Sequence, residues 1–302
     1  MKSLKIALDW TPNVNHIGFL VAQEIGLYSQ VNLDIEILHP GTDNYLTTPA
    51  KKVELAAADF ALCPMESIIS YRTKTYPFGL KAVAAIFQED LSAIACLANN
   101  TIDSPKALDG KIYASYKARY EDEIVKQMIR NDGGNGDIEI TYPEKLGIWE
   151  TIINGKSDAT WIFLNWEGIQ AESLDMDLQL FKMRDFHIPY AYSPVIAADE
   201  YKIQSEHETY KAFLLATKKG FLYAKENLAD SAHILAKYIP DRDQNIDLVK
   251  SLTYSTQYLG NNTNWGLMEE KSVAEFLTWI YKHNLETKQL IVSDLITNEL
   301  LT

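Results

Sequence analysis

The stretch ALDWTPNVNHIG, residues 7–18, joins a predicted buried strand to a predicted helix through a turn that is rich in hydrogen-bonding side chains. The apolar run ends at Leu8, and Asp9 and Trp10 follow before a proline, two asparagines, a histidine and a glycine. Apolar spacing resumes at Ile17, which is typical of an amphipathic helix. Because ligands in open α/β sheets bind outside the carboxyl ends of the strands, this turn is predicted to line a site.

The same alternation of strand and helix continues outward from this stretch. Short apolar runs predict strands, and runs with helical spacing lie between them. The predicted strands are Lys5–Asp9, Leu33–Leu38, Leu55–Leu62, Ala82–Gln88, Lys111–Ala114, Ile138–Thr141 and Ala159–Phe163. Alternation of this kind favours parallel sheets that are covered by helices.

Two series of these elements share the order strand, long helix, strand, short helix, strand. The stretches Ser92–Leu97 and Ser193–Ala198 lie where the chain would pass from one lobe to the other and back. We therefore expect an α/β clamshell of two lobes joined by two crossing strands. Lobe 1 would comprise residues 1–91 and 194–302, including the C-terminal helices, and lobe 2 would be the inserted residues 92–193.

Composition narrows the class of partner. The 302 residues are 47% hydrophobic and carry a formal net charge of −13, which argues against nucleic acid or an anionic membrane surface. No apolar run reaches the roughly 18 residues of a spanning helix. The chain opens directly before a predicted strand, so we expect no signal peptide in it, and either a cytoplasmic protein or a mature exported one. Cys63 and Cys96 are predicted core thiols, and we expect no metal site.

Turns at the predicted carboxyl ends of strands carry polar and aromatic side chains. If the two lobes face each other, these turns meet in one cleft. The candidate ligand-binding residues, from these turns, a neighbouring strand and the approach to the second crossing, are Asp9, Trp10, Asn13, Asn15, His16, Glu66, Tyr116, Trp161, Trp166, Glu167, Tyr190 and Tyr192. We find no catalytic motif such as a nucleophile elbow or a P-loop, and we expect no catalytic residue.

Several candidates also have a structural interpretation. The two asparagines could shape the turn, because Asn tolerates unusual backbone and bonds locally. His16 could cap or pack at the helix start, and Glu66 could be a solvated carboxylate stabilised by a helix dipole. Trp161 could belong to the core. Lys117 and Arg119 could instead hold an anion at a helix start.

Longer segments resemble a known family. They are LDWTPNVNHIGFLVAQEIGLY, DGKIYASY, INGKSDATWIFLNWEGIQAE and SDLITNELL. Together they resemble the formylaminopyrimidine-type substrate-binding proteins of thiamin-pyrimidine importers, within a superfamily that includes the fungal-type thiamin pyrimidine synthase. The resemblance implies a type II periplasmic-binding-protein fold, an ABC transporter permease as partner, and a periplasmic or cell-surface location after removal of an export signal.

The synthase is the alternative function. In that family a lysine after the third strand holds pyridoxal phosphate, and a nearby histidine is consumed. Matching ALCPMES to that motif puts Cys63 at the lysine position and Ser67 at the histidine position. The cysteine cluster associated with iron in the family is also missing from the corresponding stretch, FHIPYAYSPVIAADE. We therefore expect no cofactor and no enzyme activity.

The chemistry of the candidates fits a flat, polar heterocycle. Aromatic faces at Trp10 and at Tyr190 or Tyr192 would sandwich an aminopyrimidine, and Asp9 or Glu167 would accept from its amine. Sulfonate or nitrate would want positive charge instead. The sequence thus predicts a monomeric solute-binding protein that captures a thiamin-related aminopyrimidine, or a similar heterocycle, for import.

Overall fold

The computed structural model describes residues 1–98 and 101–302. Strands β1 to β10 are Lys2–Ala7, Leu33–Leu38, Phe60–Cys63, Leu80–Ala85, Ser92–Leu97, Ile112–Ala114, Glu139–Thr141, Ala159–Phe163, Leu178–Phe181 and Val195–Asp199. Helices α1 to α13 are Ile17–Glu24, Leu27–Gln30, Pro49–Glu54, Met65–Thr73, Glu121–Asn131, Ile148–Ile153, Ile169–Ser173, Glu200–Ser205, His207–Glu226, Leu228–Ala236, Leu248–Thr256, Glu270–Lys282 and Val292–Leu295. Among the described residues, none of these helices is long and apolar enough to cross a membrane.

The chain divides into two compact units, each built on a five-stranded sheet. Unit 1 comprises Met1–Asp90, Tyr192–Ala274 and Lys288–Thr302, and unit 2 comprises Leu91–Ala191 and Glu275–Thr287.

The segment Glu275–Thr287 belongs to unit 2, whereas the sequence pattern predicts that all of residues 194–302 belong to lobe 1. Its side chains explain the difference. The ring of Phe276 packs against the ring of Tyr190 with centroids 5.3 Å apart. Glu286 accepts a hydrogen bond from Arg119 at 2.7 Å. Helical spacing shows that a segment is amphipathic but does not show which sheet it covers.

The sheet of unit 1 has the order β2-β1-β3-β10-β4. Strand β1 runs parallel to β2 and β3, and β10 is inserted antiparallel between β3 and β4. Lys2 pairs with Leu33, and Ala7 pairs with Leu38. The predicted strand Lys5–Asp9 was therefore placed too late, because polar residues that lie on the outer part of β1 still pair with β2. Asp9 consequently stands beyond the end of the strand.

The sheet of unit 2 repeats this plan with the order β7-β6-β8-β5-β9. Strand β6 is parallel to β7 and β8, and β5 is inserted antiparallel between β8 and β9. In each unit the antiparallel strand is thus the one by which the chain enters or re-enters that unit.

The core of unit 1 fixes where α1 begins. Phe60 of β3 stacks on Phe213 of α9 with ring centroids 4.3 Å apart, which seats α9 on the sheet. Helix α1 lies so close to α9 that a Cβ on Gly220 would stand 2.0 Å from the Gly18 carbonyl oxygen. A Cβ on Gly18 would stand 2.0 Å from the Phe221 ring. The glycine that ends the opening motif is therefore required by helix packing, and this packing anchors the turn before it.

Candidate functional site

The turn after β1 is closed by reciprocal capping. Asn13 Oδ1 accepts a hydrogen bond from the Asn15 backbone N–H at 2.8 Å, and the Asn13 N–H donates to Nδ1 of His16 at 3.0 Å. All three side chains are buried, with exposures of 3% or less. The Asn13 side chain therefore shapes the turn, as the local bonding tendency of asparagine suggests, and this holds His16 in one orientation.

The capping bond also decides the proton position on His16. Because Nδ1 accepts from a backbone N–H, the neutral ring carries its proton on Nε2. This Nε2–H donates to Oδ1 of Asp9 at 2.8 Å. His16 is fully buried, and both ring nitrogens are engaged by the chain itself. Its role in this geometry is to position the Asp9 carboxylate, which keeps a second oxygen for another donor.

Trp10, the residue after Asp9, packs its ring against Tyr45. The Trp10 ring lies 6.2 Å from the Tyr45 ring, at an interplanar angle of 53°. Burial raises the pKa of Tyr45, and the negative charge of Asp9 raises it further. Tyr45 therefore stays a neutral phenol close to Asp9. The turn presents a fixed carboxylate beside aromatic faces, which suits a flat ligand that carries hydrogen-bond donors.

The end of β3 adds a second carboxylate to this region. Burial raises the pKa of the Cys63 thiol, and the charges of Asp9 and then Glu66 raise it further. Glu66 is 3% exposed and lies in the first turn of α4. We call Asp9, Trp10, His16, Tyr45, Cys63 and Glu66 the strand-end cluster of unit 1. Its two acidic groups, Asp9 and Glu66, both act electrostatically on Cys63. Their negative charge favours ligands that carry hydrogen-bond donors and disfavours anions.

Tyr192, at the start of the second segment of unit 1, accepts hydrogen bonds through both its hydroxyl and its carbonyl oxygen. Its hydroxyl accepts a hydrogen bond from the Glu269 backbone N–H at 2.8 Å, and its carbonyl oxygen accepts from Met65 N–H at 3.1 Å. Burial raises the pKa of the Tyr192 hydroxyl. In the structure Tyr192 therefore joins the approach to β10 to the start of α4.

In unit 2 the loop after β6 is organised by a buried carboxylate. Glu121 accepts hydrogen bonds from the Tyr116 N–H at 3.0 Å, the Ala118 N–H at 3.1 Å and the Tyr113 hydroxyl at 2.8 Å. Tyr116 is half-buried at this loop. Arg119, which the sequence offered as an anion ligand, donates to Glu286 at 2.7 Å instead.

The other candidates of unit 2 lie on β8, in the turn after it and on the approach to β10. Trp161 and Tyr190 meet edge to face, with ring centroids 5.0 Å apart. Glu167 Oε2 accepts from the Phe163 N–H at 3.0 Å, within the turn where a short π-helix begins. Trp166 is 2% exposed and ranks among the largest fully buried side chains, so its ring packs inside the protein in this conformation.

The structure groups candidates within each unit. It brings Asp9, Trp10, His16 and Glu66 together in unit 1, and it brings Trp161 and Tyr190 together in unit 2. Sequence reasoning missed Tyr45 and also His39, which directly follows β2. The signal for His39 was available, because it stands at the same carboxyl edge as Asp9. Tyr45 lies in a loop without periodicity and gave no such signal.

Comparisons with known proteins place the chain in one family, whose curated relatives include a binding protein and a synthase. A family model described as NMT1/THI5 like matches residues 13–230. The formylaminopyrimidine-binding protein of Halalkalibacterium halodurans is 25% identical over 97% of this chain and 89% of that protein. The 4-amino-5-hydroxymethyl-2-methylpyrimidine phosphate synthase of Legionella pneumophila is 24% identical over 80% of this chain and 76% of that protein.

A solved structure establishes the fold. The periplasmic aliphatic sulphonate-binding protein of Escherichia coli superposes with a TM-score of 0.73 at 14% identity, covering 98% of this chain and 92% of that one. At this identity the likeness concerns the fold alone. The predicted fold class, a two-lobed α/β protein of the periplasmic-binding-protein type, is confirmed.

Proposed function

Because the chain belongs to the NMT1/THI5-like family, we propose that it is a solute-binding protein for a thiamin-related aminopyrimidine or a similar flat, polar heterocycle. The bound ligand is carried and not transformed. In this role the protein works outside the cytoplasmic membrane and delivers its ligand to the permease of an ABC importer. The similarity to the formylaminopyrimidine-binding protein over nearly the whole chain supports this proposal.

The observation that carries the proposal is the arrangement around Asp9. Its Oδ1 is held by His16 Nε2–H at 2.8 Å, Trp10 follows it in the chain and packs against Tyr45, and its charge raises the pKa of the Tyr45 phenol. An exocyclic amine would donate to the second carboxylate oxygen while the ring of the ligand lies against an aromatic face. The cluster is acidic, so a sulfonate or a nitrate has no counter-charge there.

The synthase alternative meets an obstacle at β3. A lysine would be needed to hold pyridoxal phosphate as an imine, and Cys63 stands at that position. Burial and two neighbouring carboxylates raise the pKa of its thiol, and a thiol forms no imine in any protonation state. The residues present at this strand end do not fit that cofactor, and we derive no catalytic step through it.

Titration calorimetry tests the proposal directly. The purified chain should bind 4-amino-5-hydroxymethyl-2-methylpyrimidine or its formylaminomethyl analogue, and it should show no heat of binding with an alkanesulfonate or with nitrate. Tight sulfonate binding without pyrimidine binding would replace this function with anion capture. Conversion of a pyrimidine precursor by the purified chain would replace it with catalysis.

A further inference from the structure

The turn after β1 and the loop after β2 carry three buried polar atoms that have no hydrogen-bond partner among the described residues. They are Oγ1 of Thr11, Nδ1 of His39 and Oδ1 of Asp43. Thr11 is only 5% exposed, so water does not reach its hydroxyl from the surface. Leaving such a group unsatisfied typically costs about 1–3 kcal/mol. Three of them in one region therefore call for a physical explanation.

Two of these three side chains, His39 and Thr11, meet at Gly41. A Cβ built on Gly41 would stand 3.0 Å from His39 Nδ1 and 3.7 Å from Thr11 Cγ2. Asp43 binds Lys52 through its other oxygen, Oδ2, at 2.9 Å, and the charge of Lys52 also acts on His39. The turn after β1 and the loop after β2 thus meet around Gly41.

The loop that carries two of these atoms is held by its own hydrogen bonds. The His39 carbonyl accepts from both the N–H of Thr42 at 3.2 Å and its hydroxyl at 2.9 Å. The Tyr45 N–H donates to the Pro40 carbonyl at 3.0 Å. These bonds hold the backbone on which the His39 and Asp43 side chains are mounted.

This group adjoins the strand-end cluster. Thr11 follows Trp10 directly, and Tyr45, which packs against Trp10, closes the loop of His39 and Asp43. Beyond the effect of burial, both Asp9 and Asp43 raise the pKa of Tyr45, so both carboxylates lie within electrostatic range of its phenol. Thr11 thus adjoins the residues that would hold the ligand, and the loop of His39 and Asp43 adjoins them through Tyr45.

The donor and acceptor types define what fits. Asp43 Oδ1 accepts only, the Thr11 hydroxyl donates or accepts, and a neutral imidazole nitrogen does one or the other. The positive charge nearby, on Lys52, is already paired with Asp43. An uncharged group with both a donor and an acceptor satisfies this set, whereas a phosphate would be repelled by the Asp43 carboxylate.

We propose that Thr11, His39 and Asp43 form a subsite that holds an uncharged polar substituent, a hydroxyl or a formamide, of the heterocycle bound at Asp9 and Trp10. The subsite excludes the phosphate ester of the same alcohol. This inference rests on the proposed function, because it names the residues that hold the substituent of a ligand whose ring is bound at Asp9 and Trp10.

The test compares two probes in calorimetry, 4-amino-5-hydroxymethyl-2-methylpyrimidine and 4-amino-2,5-dimethylpyrimidine, which lacks the hydroxyl. Thr11→Val should weaken binding of the first probe about fivefold to tenfold, the worth of one hydrogen bond, and leave the second unchanged. Gly41→Ala, which pushes a methyl group toward His39, should do the same. Thr253→Val, an exposed threonine on α11, is the matched control and should alter neither.

Each outcome of this test decides between the two proposals. If Thr11→Val and Gly41→Ala change the affinity for neither probe, or weaken the affinity for both equally, these polar atoms do not contact the hydroxyl of the ligand. That result would overturn the subsite and leave the proposed function standing. Failure of both probes to bind the unmodified chain would overturn the proposed function and the subsite with it. A phosphate ester that binds the unmodified chain as tightly as the alcohol would also refute the subsite.

Discussion

Replacing Asp9 by Asn reverses the hydrogen-bonding character of one atom and leaves the rest of the turn in place. In the native turn Asn13 N–H donates to His16 Nδ1, so Nε2 must carry the proton. The Asn side chain therefore has to turn its carbonyl oxygen toward Nε2–H, as Asp9 Oδ1 does now at 2.8 Å. Its NH₂ group then takes the place of the second carboxylate oxygen, so an acceptor for the ligand becomes a donor.

The expected magnitudes follow from this geometry. The His16 bond survives in Asp9→Asn, so the free energy of unfolding should change by less than about 1 kcal/mol. A ligand amine that meets a donor instead of an acceptor loses its partner, and the binding free energy should weaken by about 1–3 kcal/mol. In affinity this is about 5-fold to 150-fold. Asp9 keeps 18% of its side-chain surface exposed, which favours the lower half of the range, because water reaches the site.

Calorimetry with the hydroxymethylpyrimidine probe measures the affinity, and thermal melts measure the stability. Asp34→Asn is the matched control, because Asp34 is exposed on β2 of the same sheet and its substitution removes the same charge. The control should bind as the unmodified chain does. Undiminished binding by Asp9→Asn would remove Asp9 from the ligand site, and a large loss of melting temperature would make it a structural group.

Three further outcomes are expected. Trp10→Ala should weaken binding of the same probe by about 1–3 kcal/mol of stacking energy while the chain stays folded, and an unchanged affinity in calorimetry would show that its ring does not touch the ligand. Burial lowers the pKa of His39 from 6.5, and the positive charge of Lys52 lowers it further. Below pH 6.5 the unfolded state therefore binds more protons at His39 than the folded state does. The free energy of unfolding is highest above about pH 6.5 and falls as the pH drops below that value. His39→Gln should lessen this acid-dependent loss in thermal melts. Burial raises the pKa of Cys96 to about 12 and that of Cys63 as well, so a disulfide reagent should label neither thiol before denaturation, and rapid labelling of native Cys63 would contradict the buried placement.

The fold was largely predictable because its signals are local. The alternation of apolar strands and amphipathic helices is visible in sequence windows, and the crossing stretch Ser92–Leu97 coincides with β5. The end of β1 was placed too late, since pairing with β2 and not hydrophobicity decides where Lys2–Ala7 stops. The attachment of Glu275–Thr287 to unit 2 depends on contacts between residues far apart in the chain, which no window contains.

The candidate site was predictable at the level of the strand ends and not at the level of roles. The rule that ligands bind beyond strand ends selected Asp9 and Trp10. It could not show that both ring nitrogens of His16 are hydrogen-bonded, one to Asn13 and the other to Asp9, because that depends on the tautomer that the turn imposes. It also passed over Tyr45, whose ring reaches Trp10 only through the fold of an irregular loop.

The interleaving of the two units has a consequence for dissecting the protein into fragments. Expression of residues 91–191 alone would omit Glu275–Thr287, leaving Arg119 without the carboxylate of Glu286 and the ring of Tyr190 without Phe276. Helix α12 begins in unit 1 and ends in unit 2, so a protease cut within it would disturb both. Neither unit is therefore a transplantable module, and domain-swap chimaeras with other family members need the stretch 275–287 exchanged together with residues 91–191.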